Sequence, residues 1–300
     1  MLKYFGRFSD LFTRFIENMV SGCHLLIHRN LVMVAVVTAL IATSGISNAA
    51  PDDAAQADKE NKYTNMPFAI SFVPGLSTAG VASRKVVTNF SVNILAGYYA
   101  ALNGFEIGGI ANLEKESARG AQFAGVTNVV RGYVEGLQAA GTLNIALAGL
   151  NGLQASGVGN YAGESVRVGQ LSGAVNVVLG GLNGLQASGG VNYAKDDVWG
   201  SQLSGGANVT LSDLVGFQGA GAINYAGRNV RGGQVSGAIN MAGRLHGAQF
   251  SVINIAGGLI GTQIGIINIA RKVKGLQLGV INVSQDIVGA PIGVLSFGNR

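Results

Sequence analysis

Glutamine recurs in this chain at fixed intervals. Gln122, Gln138, Gln154, Gln170, Gln186, Gln202, Gln218 and Gln234 stand sixteen residues apart, and Gln249, Gln263 and Gln277 follow at fifteen, fourteen and fourteen. Asparagine keeps step at Asn112, Asn128, Asn144, Asn160, Asn176, Asn192, Asn208, Asn224, Asn240, Asn254, Asn268 and Asn282. A glycine precedes most of the glutamines by two positions, as at Gly136, Gly184, Gly232 and Gly275. Glu106 takes the Gln position of the first copy and Pro291 that of the last, as terminal repeats that cap a stack commonly do. Such a period admits few folds, because a unit this short buries its apolar side only against its neighbours.

Within a copy the apolar residues come in pairs around each amide. Leu276 and Leu278 flank Gln277, Ile281 and Val283 flank Asn282, and Ile287 follows. This is the period-two alternation of strands, two short ones per copy, and it places each amide on the side away from the aliphatics. The shortening from sixteen to fourteen locates the corners. One residue is lost between Gln and Asn, where Ala-Ser-Gly becomes Ile-Gly, and one between Asn and the next Gly. Along one continuous strand the first loss would turn every later side chain to the other face. At a corner it only tightens the bend. Glycine stands at that corner in nearly all copies, where unusual backbone angles cost little.

The expected fold is therefore a flat parallel β-solenoid with 14–16 residue coils. Each coil needs two strands of about five residues and two tight corners. Successive coils stack about 4.8 Å apart, so about thirteen of them make a rod of roughly 60 Å. In-register Asn and Gln can hydrogen-bond along such ladders. The rival is an up-and-down transmembrane β-barrel. In the sixteen-residue copies Gly136, Gln138, Ala140, Thr142 and Asn144 share one parity and apolar neighbours the other, as barrel strands do. A weaker thirty-two-residue period in Tyr161, Tyr193 and Tyr225 suits hairpins. The fourteen-residue copies oppose it, because there Gln and Asn fall on opposite parities.

Ahead of the repeats the chain reads in three parts. Residues 1–50 resemble an export leader, with Arg29 before the apolar run from Leu31 to Thr43 and the small residues Ser47-Asn48-Ala49-Ala50 for cleavage. The stretch before that run is long, so Met1, Met19 and Met33 are all candidate starts. Cys23 follows Val20-Ser21-Gly22 as in a lipoprotein box, but Arg14 and Glu17 interrupt the stretch where an apolar run should stand. Residues 51–65 are polar and read as a flexible linker. Residues 66–103 read as an N-terminal cap and degenerate first coil, with a strand from Phe68 and a turn at Val73-Pro74-Gly75. The repeat solenoid then occupies 104–300.

Charge excludes some functions. Four of the 20 Lys and Arg and two of the 15 Asp and Glu precede residue 51, leaving sixteen against thirteen, a surplus of about three. No basic stripe with interleaved aromatics points to nucleic acid. Arg271-Lys272-Val273-Lys274 is the densest basic spot and reads as a solvated corner.

Catalytic candidates are few. After the leader there is one histidine, His246, expected at a surface corner, and no cysteine to act as nucleophile. No cluster has metal-ligand spacing and no cofactor is implied. Asp196-Asp197 and the pair Glu114/Glu116 could serve as acid and base on a sugar, but both fall at corners beside cations and read as solvated turns. Gly157-Val158-Gly159 and Gly219-Ala220-Gly221 are in phase with the repeat, and no helix follows to complete a phosphate loop. Asn208-Val209-Thr210 and Asn282-Val283-Ser284 match the glycosylation sequon at ladder positions. The recurring amides are the one repeated polar chemistry. They either bond to their neighbours or, facing outward, present a flat surface to a glycan or protein ligand.

The repeat Gly-x-Gln-x-x-Gly-x-x-Asn, the lead-in Asn89-Phe90-Ser91-Val92-Asn93-Ile94-Leu95-Ala96-Gly97-Tyr98 and the ending Pro291-Ile292-Gly293-Val294-Leu295 together resemble bacterial exported surface-repeat proteins of the leptospiral type. The resemblance covers residues 68–300. It implies export to the periplasm, cell surface or outer membrane and brings no catalytic residues. The expected function is that of a non-enzymatic surface scaffold or adhesion-type interaction module, with an outer-membrane pore or anchor as the alternative.

Overall fold

The computed structural model describes residues 63–299, with side chains to residue 297. The export leader, Cys23, the three candidate starts and linker residues 51–62 lie outside the described residues. What is described is a parallel β-solenoid of about thirteen turns. Each coil pairs in parallel with the next, like residue on like: Asn144 lies against Asn160, Gln154 against Gln170, and Gln263 against Gln277. Up-and-down barrel strands would pair antiparallel, so the barrel is excluded. The two-residue strand Leu76–Ser77, folded back on the first strand, pairs antiparallel.

Between Thr127 and Ala220 each sixteen-residue coil has a seven-residue strand carrying Gln and a four-residue strand carrying Asn. Leu150–Ser156 and Gly159–Ala162 form one such coil. The corner between them is a two-residue bend at Gly157 and Val158. The fourteen-residue coils differ from the expected two-strand plan. Ile253–Ile264 and Ile267–Leu278 are single twelve-residue strands, interrupted only at the Gln-to-Asn corner. The same continuity occurs in two sixteen-residue coils, Ala111–Ala124 and Ile223–Ser236, so the far corner can be rounded within the ladder at either length.

The solenoid begins earlier than residue 104. Thr64–Val73 pairs in parallel with Val86–Asn93, which pairs with Ala96–Gly108, so the cap is itself built of coils. A 3-10 turn at Gly80–Lys85 joins the first two, and Thr64 and Asn65, read as linker, already lie in a strand. Phe68, Phe90 and Phe105 stack along the outside and Phe123 tilts against the last of them, with ring centroids 5.4–5.8 Å apart.

The core has two halves. One is aliphatic, built from two inward columns such as Val130, Ala146, Ala162 and Val178 opposite Val134, Leu150, Val166 and Leu182. The other half is amide. Gln122 through Gln277 and Asn112 through Asn282 are buried, nearly all with no exposed surface. This corrects the expected facing. The amides point in, and their aliphatic neighbours, Leu278 and Val280 among them, are exposed. Alternation shows that two faces differ, but either can be the inner one. Here the inner side of a sharp corner has carbonyls to satisfy, which amides can reach and aliphatics cannot.

The role expected of the corner glycines also shifts. The left-handed glycines are not at the Gln-to-Asn corner but two residues before Gln, as at Gly200 (φ 137°) and Gly216 (φ 139°). They bend the long strand mid-course. The corner glycine Gly157 serves by lacking a Cβ, which would strike the Gly141 carbonyl of the preceding coil.

One coil breaks the first rule. Val168 occupies the bend position at φ 87°, a region that β-branched residues avoid, and its side chain is 59% exposed. Relief of that strain should outweigh the entropy cost of glycine, so Val168→Gly is expected to raise stability by about 1 kcal/mol. Denaturant midpoints of the two proteins measure this; a lower midpoint for the variant would contradict it.

Candidate functional site

The recurring polar side chains form two ladders of opposite polarity. Along one, each glutamine donates backward: Gln138 Nε2 to Gln122 Oε1 (2.9 Å), Gln154 to Gln138 (2.8 Å), and so on to Gln277 onto Gln263 (2.9 Å). Along the other, each asparagine donates forward: Asn128 Nδ2 to Asn144 Oδ1 (2.9 Å), and finally Asn268 to Asn282 (2.9 Å). The same Asn nitrogen also donates to the carbonyl just after Gln in the following coil, as Asn128 does to Ala139 O (2.9 Å) and Asn254 to Ile264 O (2.8 Å). Each asparagine thereby staples the corner of the next coil.

The ladders end differently. The Gln ladder terminates on Glu106, which accepts from Gln122 Nε2 (2.9 Å), Ser91 Oγ (2.9 Å) and Asn93 Nδ2 (2.7 Å). A glutamine there would bring an NH₂ group whose two N–H bonds need acceptors, where the Glu106 side chain accepts three hydrogen bonds. The Asn ladder starts at Asn93, which donates to Asn112 Oδ1 (2.8 Å). Its side chain fills the space left by Gly97, which stands in register with Asn112. Gln277 Oε1 and Asn93 Oδ1, the acceptor ends of the two ladders, have no partner.

Glu114 is the finding that corner-and-charge reasoning missed. It was expected in a solvated turn with Glu116, and instead lies in the core beside Glu106. Burial, and then the nearby Glu106 charge, holds its carboxyl well above the ordinary range. Tyr99, buried beside them, is likewise raised by burial and by both glutamates. The structure does not bring Glu114 and Glu116 together as an acid–base pair. Glu116 accepts from Tyr63 (2.6 Å) and pairs with Lys115 (3.5 Å).

The other candidates are spread along the coils. Asp197 accepts from the Asp213 backbone N–H (3.0 Å), and Asp213 in turn accepts from Asn229 N–H (2.9 Å), a corner column running coil to coil. The Ser212 hydroxyl, then that N–H, lowers the Asp197 carboxyl, the opposite of what a general acid requires. His246 is exposed, on a strand rather than a corner, in register with Arg231 and Ile260. Arg271, Lys272 and Lys274 are exposed around the buried Val273, within one continuous strand. Gly157–Gly159 runs from the corner into the next strand, and Gly219–Gly221 from a strand end into the corner. Asn208 and Asn282 have their sequon nitrogens engaged inside the ladder. Among the described residues no group of three or more His, Cys, Asp or Glu could hold a metal ion, and no helix is long and apolar enough to cross a membrane.

With the amides buried, the surface that recurs is the outside of the Gln-to-Asn corner. From the residue before each Gln to the residue after the next Asn, no copy carries a charged side chain except the buried Glu106. The charges of the repeats, from Glu114 and Lys115 to Lys274 and Asp286, fall in the other half of each coil. This segregation is readable once the copies are aligned on Gln, but net charge alone conceals it. Comparison with protein-family models, with curated proteins and with solved structures finds no match to this chain.

Two outcomes test this description. Gln186→Leu removes the donor to Gln170 and the acceptor of Gln202, stranding two buried groups at about 1–3 kcal/mol each. Gln277→Leu only moves the existing orphan from Gln277 to Gln263 and should be near neutral. Equal losses in the two denaturation curves would contradict the ladder. For Glu114, the folded form keeps its proton above the unfolded value near 4.5. Its contribution is complete below that pH and is lost as pH rises through the folded value. Glu114→Gln should therefore gain stability over wild type increasingly as pH rises from 4.5, followed by melting temperature; a constant difference would contradict the neutral carboxyl.

Proposed function

We propose that this chain is an exported, non-enzymatic repeat protein that serves as a surface scaffold or interaction module. The observation that carries the reading is the placement of its repeated chemistry. Every coil's amides bond to neighbouring coils, which stiffens the solenoid, and the feature repeated on the outside is a long uncharged side. A rod with one uniform side suits holding or contacting a partner along its length. The acids nearest to a catalytic pair are separated or used in corners. The resemblance to exported surface-repeat proteins and the leader-like residues 1–50 support export. An outward amide ladder as the binding surface is no longer available, and an outer-membrane pore falls with the barrel.

Expression of the full chain in a bacterial host followed by fractionation tests the address. The expected product lies outside the cytoplasm with a new N-terminus near Pro51; retention in the cytoplasm with residues 1–50 attached would overturn export. Incubation with a panel of polysaccharides tests the rest. No turnover is expected, and hydrolysis that disappears in Asp197→Asn would make the chain an enzyme.

A further inference from the structure

We propose that the charge-free side of the solenoid lies on a lipid bilayer, with its apolar columns in the hydrocarbon boundary and its rim at the headgroups. This rests on the interaction-module reading above and names the partner of that side. Exposed on it are Ile110, Val158, Leu203, Val252, Ile266 and Val280, each between 41% and 50% accessible. Between Ala155 and Val235 runs an open groove of about 780 Å³, lined by apolar side chains and serines. A second groove of about 540 Å³, from Ile107 to Ser156, shares Ala155 and Ser156 with it.

Three observations favour lipid. Covering this side strands little backbone, because most corner N–H groups are already bonded from coil to coil: Val158 N donates to Thr142 O (3.1 Å) and Val280 N to Ile266 O (3.0 Å). The rim has the chemistry of a membrane boundary. The outward column three residues before Gln holds Arg119, Arg167, Trp199, Arg231, His246 and Lys274, all exposed, and one acid, Glu135, which pairs with Arg119 (3.2 Å). Tyr161, Tyr193 and Tyr225 line the opposite border. Long cationic stems and amphipathic rings settle where hydrocarbon meets headgroup.

The relief of the side decides against a second copy. Two residues before Asn, the tip is bulky toward both ends, at Ile110 and Val126 and at Val252, Ile266 and Val280. It stays β-branched at Thr142 and Val158 and is small only from Ala174 through Gly190, Gly206 and Ala222 to Ala238. A rigid antiparallel copy would set bulky ends on bulky ends and leave the groove between Ala155 and Val235 facing its own counterpart unfilled, and empty apolar volume is costly. Fluid acyl chains fill such relief.

Trp199 is the only tryptophan of the chain, so its fluorescence reports this rim and not the apolar run of residues 31–43. The purified full chain is mixed with vesicles of equimolar phosphatidylcholine and phosphatidylglycerol, with and without acyl-brominated lipid. A blue shift of Trp199 and its quenching by the brominated lipid are expected. Val158→Asp with Ile266→Asp should cut the quenched fraction at least tenfold, while Leu147→Asp, on the charged half, leaves it unchanged. Vesicle flotation with a silent Trp199 would overturn the proposal, since another segment would then hold the lipid. So would a concentration-dependent dimer with shifted Trp199 emission in lipid-free buffer. Failure here with an exported, inactive chain leaves the scaffold reading standing; a cytoplasmic or hydrolytic chain defeats that reading separately.

Discussion

The hydrogen bond from one side-chain amide to the same amide in the next coil is the constraint on which this structure depends. It requires every coil to return its Gln and Asn to the same point in cross-section, about 4.8 Å further on. The bonds from Asn128 Nδ2 to Asn144 Oδ1 and from Gln138 Nε2 to Gln122 Oε1, both 2.9 Å, run in opposite directions, so the ladders need an acceptor at one end and a donor at the other. Glu106 meets the first need as an acceptor of three hydrogen bonds. A slip of one coil by one residue would strand both amides in an interior that offers no water.

That interior arrangement determines the surface. With amides inside the Gln-to-Asn corner, the alternating positions outside it are free of any hydrogen-bonding duty toward the core. They are filled with Ile, Val, Leu, Phe, Gly, Ala and Ser, and ionic residues are confined to the other half of each coil. The cross-section is inverted across its width. One half has aliphatics inside and charges outside, and the other has amides inside and aliphatics outside. Any partner that reads the whole length of the solenoid meets this second half as a continuous strip.

Much of this was legible before any coordinates. The phase of Gln and Asn set the coil length, and the loss of a single residue between them revealed a corner and so a parallel stack. Which face was inner was not legible. Gln277 between Leu276 and Leu278 reads the same from either side, and the general habit of polar residues to face water chose the wrong one. The deciding groups are corner carbonyls such as Ala139 O and Ile264 O, which have no signature in side-chain pattern. Glu114 was obscured by its neighbours Lys115 and Glu116, which made a buried acid look like part of a charged turn. Val168 broke the Gly-x-Gln rule in plain sight, but its strain depends on a bend the alternation could not show.

The central claim is that the recurring amides are inside and bonded to one another. Hydrogen exchange of the Asn and Gln side-chain NH₂ groups, followed by NMR on the folded protein, tests it most directly. The account predicts that the ladder amides exchange orders of magnitude more slowly than those of solvent-exposed Asn and Gln. Ladder amides that exchange as fast as exposed ones would place them on the surface and contradict it.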